Sequence, residues 1–426
     1  MSAAKLKAPR GTHDVLGEQA AARARVESAA RALLEGAGYA RIETPTFEAT
    51  ELFARGVGAS TDIVQKEMYT FTDGGGRSLT LRPEGTAPVC RAYVEHGMHK
   101  LRAPVKLWYL SSFYRYERAQ AGRQRQFWQV GAEALGSEEP AVDAESIVLL
   151  CALLDELDVR EVRLRLSSLG GPDARAAYRE RLQAHLRAHE AALAPEVRER
   201  IDLNPLRAFD SEHDGTRAVM ATAPRLLDHL STDDQSHFAE VRALLDEAGV
   251  AYAIDPTLVR GLDYYTRTVF ELTSDALGAQ SGVGGGGRYD GLVAQLGGPS
   301  TPGMGWAMGI ERALLAGDAR AEASPAIDLF VAVSDGAARP AFKLLHEART
   351  AGLAAQMELA GRSLKNQLAH AERLGARYVA VVGAGGDGAS GAGGAGTQLK
   401  DVQAHTQEEI SADAVVHAVL RGRGAL

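Results

Sequence analysis

Cysteine is nearly absent. Cys90 and Cys151 are the only two in 426 residues, too few and too far apart for a disulfide framework or a cysteine zinc cluster. The cytoplasm is therefore the expected compartment, and the apolar neighbourhoods of both thiols predict packing roles. Long apolar runs are also missing. None approaches the ~18 residues of a membrane helix, and the opening stretch MSAAKLKAPRGTHD lacks the hydrophobic core of a secretion signal. Positive net charge is missing too: 47 Lys and Arg against 55 Asp and Glu leave −8. That argues against a protein that only coats nucleic acid, while leaving room for an enzyme with a local basic surface. No Walker A, HExxH or GxSxG pattern occurs, and the twelve histidines show no metal-ligand spacing.

What remains is an ordinary globular composition, 45% apolar and 24% charged, over a length that suits two or three domains. Residues 18 to 38 read as a helix ending at Gly36 and Gly38. RIETPTFE reads as an edge strand because of Pro45, and YTFTDGGGRSLTLRPEGT as a hairpin turning at Gly74 to Gly76. KLWYLSSFYRYER and RQFWQVGAEAL read as two strands joined by a polar loop. Helical pattern covers about 141 to 158, 173 to 195 and 224 to 248, broken near NPLRAFD. Strand character returns at 251 to 272. SGVGGGGRYDGL then reads as a glycine-dense turn, and TPGMGWAMGIERALLA as a strand running into a helix. Beyond Pro325 the pattern alternates between strand and helix, which places one domain over 1–325, with a helical insertion at about 172–250, and an α/β domain over 326–426. The run from 383 to 396 reads as a low-complexity flexible loop.

Four stretches hold residues suited to chemistry. In RGLDYYTRTVFE, strand parity groups Asp263, Tyr265, Arg267 and Glu271 on one polar face and leaves Tyr264 on the other. In FYRYERAQAGRQRQFWQVGAE, parity groups Arg115 with Glu117, and Arg125, Phe127, Gln129, Gly131 and Glu133 with one another. Gln129 and Glu133 would stand about 13 Å apart, the reach needed to hold two ends of a bound amino acid. An arginine facing such a floor suits a phosphate, since its fork pairs two oxygens at once; a charged surface ribbon is the plainer alternative. LRPEGTA places Glu84 and Thr86 after a strand, as ligands for an ammonium group or as a helix N-cap with Thr86 capping. GMGWAMGIER puts Arg312 in the first turn of a helix, where a cation is disfavoured unless an anion lies beside it. The glycine run before Arg288, Tyr289 and Asp290 does not meet the context of a dinucleotide loop, and is read as a turn delivering Tyr289 to the same pocket.

In this order the motifs resemble the class II aminoacyl-tRNA synthetases. PRGTHDVL, RGLDYYTRTVFE and GGGGRYDGL together are similar to the histidyl-tRNA synthetase family over nearly the whole chain. GYARIETPTFEATELFARGVG resembles motif 1, FYRYER with RQFWQVGAE motif 2, GMGWAMGIER motif 3, and GRSLKNQLAHAERLGARYVAVVG the anticodon-binding domain. Ala119 and Gly17 stand where the family often has proline, both in loops. The resemblance implies an α+β fold with an antiparallel six- or seven-stranded catalytic sheet flanked by helices. It also implies homodimerisation through residues 39 to 59, and ligation of L-histidine to tRNA(His) with ATP and Mg²⁺.

By the same resemblance, Arg115 and Arg312 bind the α- and γ-phosphates of ATP, with Glu117 beside them. Glu84, Thr86 and Gln129 receive the α-ammonium end of histidine. Glu133 and Tyr265 bond the imidazole, Arg260 meets the carboxylate and α-phosphate, and Tyr264 and Tyr289 line the pocket. Two other readings stand beside it: a non-catalytic regulatory subunit of ATP phosphoribosyltransferase, which usually lacks both the anticodon domain and the motif arginines, and a tRNA-binding scaffold without catalysis.

Overall fold

The computed structural model describes residues 5–58, 61–258, 261–317, 327–334, 336–385 and 396–423. The chain divides into two compact units, Met1–Arg320 and Ala321–Leu426.

The first unit is built on a sheet of eight strands. Their spatial order is Ala40–Arg41, Val105–Tyr114, Gln126–Leu135, Gly303–Gly309, Gly282–Arg288, Thr266–Ser274, Val162–Ser168 and Ala253–Ile254. The six central strands pair antiparallel. Each rim adds a two-residue strand in parallel, so the sheet is mixed and eight-stranded where six or seven antiparallel strands were expected. The rim strands are too short to carry a periodicity signal, which is why they escape a reading by pattern.

Alternation along the central strands separates two cores. Trp108, Val130, Ala132, Met304, Trp306 and Met308 face one way, onto the helices Glu18–Gly36, Pro140–Glu156 and Thr232–Glu247. Helix Glu18–Gly36 buries Ala22, Val26, Ala30 and Leu34 at four-residue spacing, the stripe an amphipathic helix lays on a sheet. Leu107, Tyr109, Phe113, Leu135, Val269 and Tyr289 face the other way, and this second face carries the candidate site.

The glycine-dense stretch is not a turn. Gly282–Arg288 is a strand between Thr266–Ser274 and Gly303–Gly309. A Cβ on Gly286 would lie 2.0 Å from the carbonyl oxygen of Gly305, so the run reflects close strand approach. The hairpin at Thr70–Thr72 and Ser78–Leu81 is present and joins Phe47–Ala49 in a three-stranded sheet. Its turn is closed by the Asp73 carboxylate, which accepts from the N–H groups of Gly75 and Arg77, each at 2.9 Å.

Between Val162–Ser168 and Thr266–Ser274 the chain makes helices Pro172–Ala188, Asp214–Ala221 and Thr232–Glu247, with 3-10 turns between them. The 224 to 248 expectation therefore covers a 3-10 turn at Leu226–His229 followed by a helix that starts only at Thr232. Ser231 sets that start, accepting from the N–H of Asp234.

The second unit has a five-stranded sheet ordered Ala355–Met357, Leu329–Val333, Tyr378–Gly385, Gly396–Asp401, Thr406–Ile410. The first three strands are parallel and the last two antiparallel. The glycine-rich segment read as a loop is strand at both ends, Gly385 pairing with Gly396; residues 386–395 lie outside the described residues.

Candidate active site

A cavity of 360 Å³ opens on the second face of the large sheet. Phe127, Gln129, Gly284, Gly285 and Ala307 form its floor from three adjacent strands. Glu84, Thr86, Tyr109, Tyr264 and Tyr265 wall one part of it, and Arg115, Glu117, Arg123, Glu271 and Arg312 another.

Glu133 lies beneath the tyrosine end and is wholly buried. Its carboxylate accepts from Tyr289 Oη at 2.6 Å, Thr86 Oγ1 at 2.8 Å and Tyr109 Oη at 3.4 Å. Burial raises its pKa to about 8 against the pull of these donors. The adjoining glycines make this geometry possible. A Cβ on Gly305 would stand 1.8 Å from Glu133 Oε2, and one on Gly131 would stand 2.3 Å from Tyr109 Oη. The space over Gly131 thus belongs to Tyr109, a residue the sequence reading did not single out. A signal for it existed, since Tyr109 has the strand parity of Arg115.

Glu84 is also buried, and burial raises its pKa despite two backbone hydrogen bonds. It accepts from the N–H of Thr86 at 2.8 Å and of Ala87 at 3.0 Å, so it closes the first turn of helix Thr86–Glu95. On the helix-cap alternative, Thr86 was to be the cap. It is instead the first helical residue, and its hydroxyl is committed to Glu133. Tyr264 Oη stands 3.5 Å from Glu84, and burial drives its pKa well up.

At the other end, Arg115 donates to the Pro83 carbonyl at 2.9 Å and stacks over Phe127 with its guanidinium carbon 5.3 Å from the ring centre. Strand Val105–Tyr114 stops just before it, so Arg115 and Glu117 reach the cavity from a loop, not from the strand face expected. Glu117 pairs with Arg123 at 2.5 Å. Glu271 pairs with Arg165 at 3.0 Å. Burial lowers the pKa of Arg312 and the nearby Arg123 lowers it further, the signature of cations gathered where an anion would relieve them. The Arg125 guanidinium lies over Tyr116 instead, 4.1 Å from its ring centre.

The parity expected for residues 263 to 271 fails at its first half. The strand begins at Thr266, and Arg267 has φ of 44° at a register shift, a bulge that re-aims side chains. Tyr264 and Tyr265 therefore both line the cavity, with ring centres 4.7 Å apart. Arg267 leaves it for Asp234, 3.0 Å away. Tyr289 lies under the cavity, not on its wall, 5.8 Å from Tyr264 between ring centres. Arg260 lies outside the described residues.

A six-strand antiparallel centre with a polar cavity on one face, fed by a strand–loop–strand pair and a strand–helix junction, defines the fold of class II aminoacyl-tRNA synthetases. The sequence model of histidyl-tRNA synthetase matches residues 11–313. The histidine–tRNA ligase of Corynebacterium jeikeium is 47% identical over 416 residues, 96% of this chain and 92% of that protein. That of Desulforamulus reducens is 45% identical over 412 residues, covering 96% and 97%. Among solved structures, apo histidyl-tRNA synthetase of S. aureus aligns with a TM-score of 0.79 at 35% identity, over 97% of this chain and all of that one. The chain belongs to the histidyl-tRNA synthetase family.

Proposed function

We propose that the protein is an ATP-dependent histidine–tRNA ligase whose chemistry occurs in the 360 Å³ cavity. The carboxylate of L-histidine attacks the α-phosphorus of ATP in line, giving histidyl-adenylate and pyrophosphate. A ribose hydroxyl at the 3′ end of tRNA(His) then takes the acyl group and AMP leaves.

The observation that carries this reading is a single cavity walled by tyrosines at one end, over the buried Glu133, and by guanidiniums at the other. Glu133, held by three O–H donors, suits an imidazole N–H, with Tyr265 for the second ring nitrogen. Such a site disfavours side chains that leave its buried polar groups unpaired. Glu84, Thr86 and Gln129 suit the α-ammonium group, and Tyr264 and Tyr289 hold the pocket's shape. Arg115, Arg123 and Arg312 offer charge to the phosphates, which an in-line displacement needs more than it needs a protein nucleophile. Arg260 joins them on the family resemblance.

Mg²⁺ takes hard oxygen ligands, usually one or two carboxylates plus substrate phosphates. Glu117 and Glu271 line the cavity and fit that donor set; the ion would neutralise phosphate charge. Association of two copies through residues 39 to 59, reading of tRNA by the 326–426 domain, contact with tRNA by the 172–250 insertion, and a cytoplasmic location belong to the same proposal. Among the described residues no helix is long and apolar enough to cross a membrane.

Histidine-dependent exchange of labelled pyrophosphate into ATP tests the reading. We expect exchange with histidine and none with glutamine or phenylalanine; exchange that ignores the amino acid supplied contradicts it.

A further inference from the structure

The two cavity tyrosines stand on the segment that leads into strand Thr266–Ser274. Residues 261 to 265 precede the strand that begins at Thr266, and Arg267 breaks the register just beyond. The Asp263 N–H donates to the Val57 carbonyl at 3.2 Å. On another side, Asp263 and Tyr264 border a second cavity of 680 Å³, while the side chains of Tyr264 and Tyr265 are buried in the core of the sheet face.

Arg175 holds this segment from outside the sheet. It projects from helix Pro172–Ala188, and one terminal nitrogen, Nη1, donates to the carbonyl of Asp263 at 2.8 Å and to that of Tyr265 at 2.8 Å. Those carbonyls flank Tyr264. Charge-assisted bonds of this kind are stronger than neutral ones, and two from one atom fix the relative position of both carbonyls. The helix that carries Arg175 is itself anchored at its start. The N–H of Gly171 donates to Asp234 at 2.9 Å, and Asp234 also accepts from Arg267 at 3.0 Å. Helix start, Arg175 and the tyrosine segment thus form one closed loop of contacts, and the cavity wall is set from the helical segment outside the sheet.

We propose that Arg175 is a positioning residue for amino-acid binding: it holds Tyr264 and Tyr265 at the cavity through their backbone, without touching the substrate. This rests on the histidine-pocket reading given above. Loss of the restraint loosens the amino-acid end while leaving Arg115 and Arg312 in place.

The test is steady-state pyrophosphate exchange with the full-length protein and L-histidine, together with the thermal midpoint. Arg175→Ala is expected to raise the KM for histidine about tenfold, with kcat and the KM for ATP within about twofold of the parent, since the loss falls on ground-state and transition-state binding alike. Arg175→Lys, which keeps a cationic donor, is expected to recover part of that loss. If Arg175→Ala does not fold, Arg175→Gln replaces it with the same expected split between histidine and ATP. An unchanged KM for histidine in a folded Ala or Gln variant overturns the proposal. So does an equal rise for histidine and ATP with a lowered midpoint, the mark of a merely structural role. Tyr265→Phe separates the two layers: no effect of that variant on histidine KM sinks the pocket reading itself, whatever Arg175 does.

Discussion

The two large sheets of this chain use burial in opposite ways. In the terminal unit, strand Leu329–Val333 is apolar on both faces: Leu329 and Val331 enter one core, Phe330 and Ala332 the other. That is how a strand in the parallel part of a sheet is expected to look when covered on both sides. In the first unit, one sheet face is similarly apolar. The other buries Glu84, Glu133, Thr86 and four tyrosines, Tyr109, Tyr264, Tyr265 and Tyr289, around an open cavity. Buried carboxylates are costly unless hydrogen-bonded, so their concentration on one face marks where stability has been traded for a function.

The sharpest way to break this contrast is to remove one guanidinium from each unit. Arg115→Ala is expected to lower histidine-dependent pyrophosphate exchange about 100-fold or more, by the scale of a lost transition-state charge contact. Arg377→Ala, in the terminal unit, should leave exchange within about twofold. Equal losses would erase the distinction between the two regions.

Next in size is Gly305→Ala. Its new methyl would collide with Glu133 Oε2, and overpacking of this kind costs about 1–3 kcal/mol. A lower unfolding midpoint in a thermal melt, with a several-fold higher histidine KM, is the expected pair of results; a parental KM would show that Glu133 tolerates displacement.

A further effect concerns pH. The Glu133 carboxyl titrates near 4.5 in the unfolded chain and is raised to about 8 by burial. Between those values the folded protein holds a proton that the unfolded chain has lost, so this group makes stability fall as the pH rises from about 4.5 to about 8. In Glu133→Gln that contribution disappears, and urea midpoints measured from pH 5 to 8 should decline less steeply than in the parent. A parallel decline would assign the titration elsewhere.

The smallest effect is expected at Lys343, whose ion pairs with Glu347 and Asp413 are surface contacts of the terminal unit. Lys343→Ala should shift neither exchange nor the thermal midpoint measurably, as is usual for exposed pairs.

Much of the site was legible because strands alternate. Gln129 and Glu133 fall on the face expected, and Arg312 sits in the first turn of helix Ile310–Ala316. Legibility failed where the backbone leaves its period. Tyr264 and Tyr265 precede the strand that begins at Thr266, so alternation does not govern them and both reach one cavity. The glycine run looked like a turn by composition, yet it is a strand because a neighbouring chain needs its Cβ space. Arg175 had no local signal at all: its partners lie 88 and 90 residues away, and such contacts exist only once the fold does.

The two rim strands of the large sheet, Ala40–Arg41 and Ala253–Ile254, carry one more consequence. A long unpaired border invites other chains to dock by main-chain hydrogen bonding, and very short border strands are one remedy. With only two residues on each border, the sheet offers little template for extension. Main-chain pairing of two such molecules is thereby steered away from this sheet, while the separate three-stranded sheet has Phe47–Ala49 at its border.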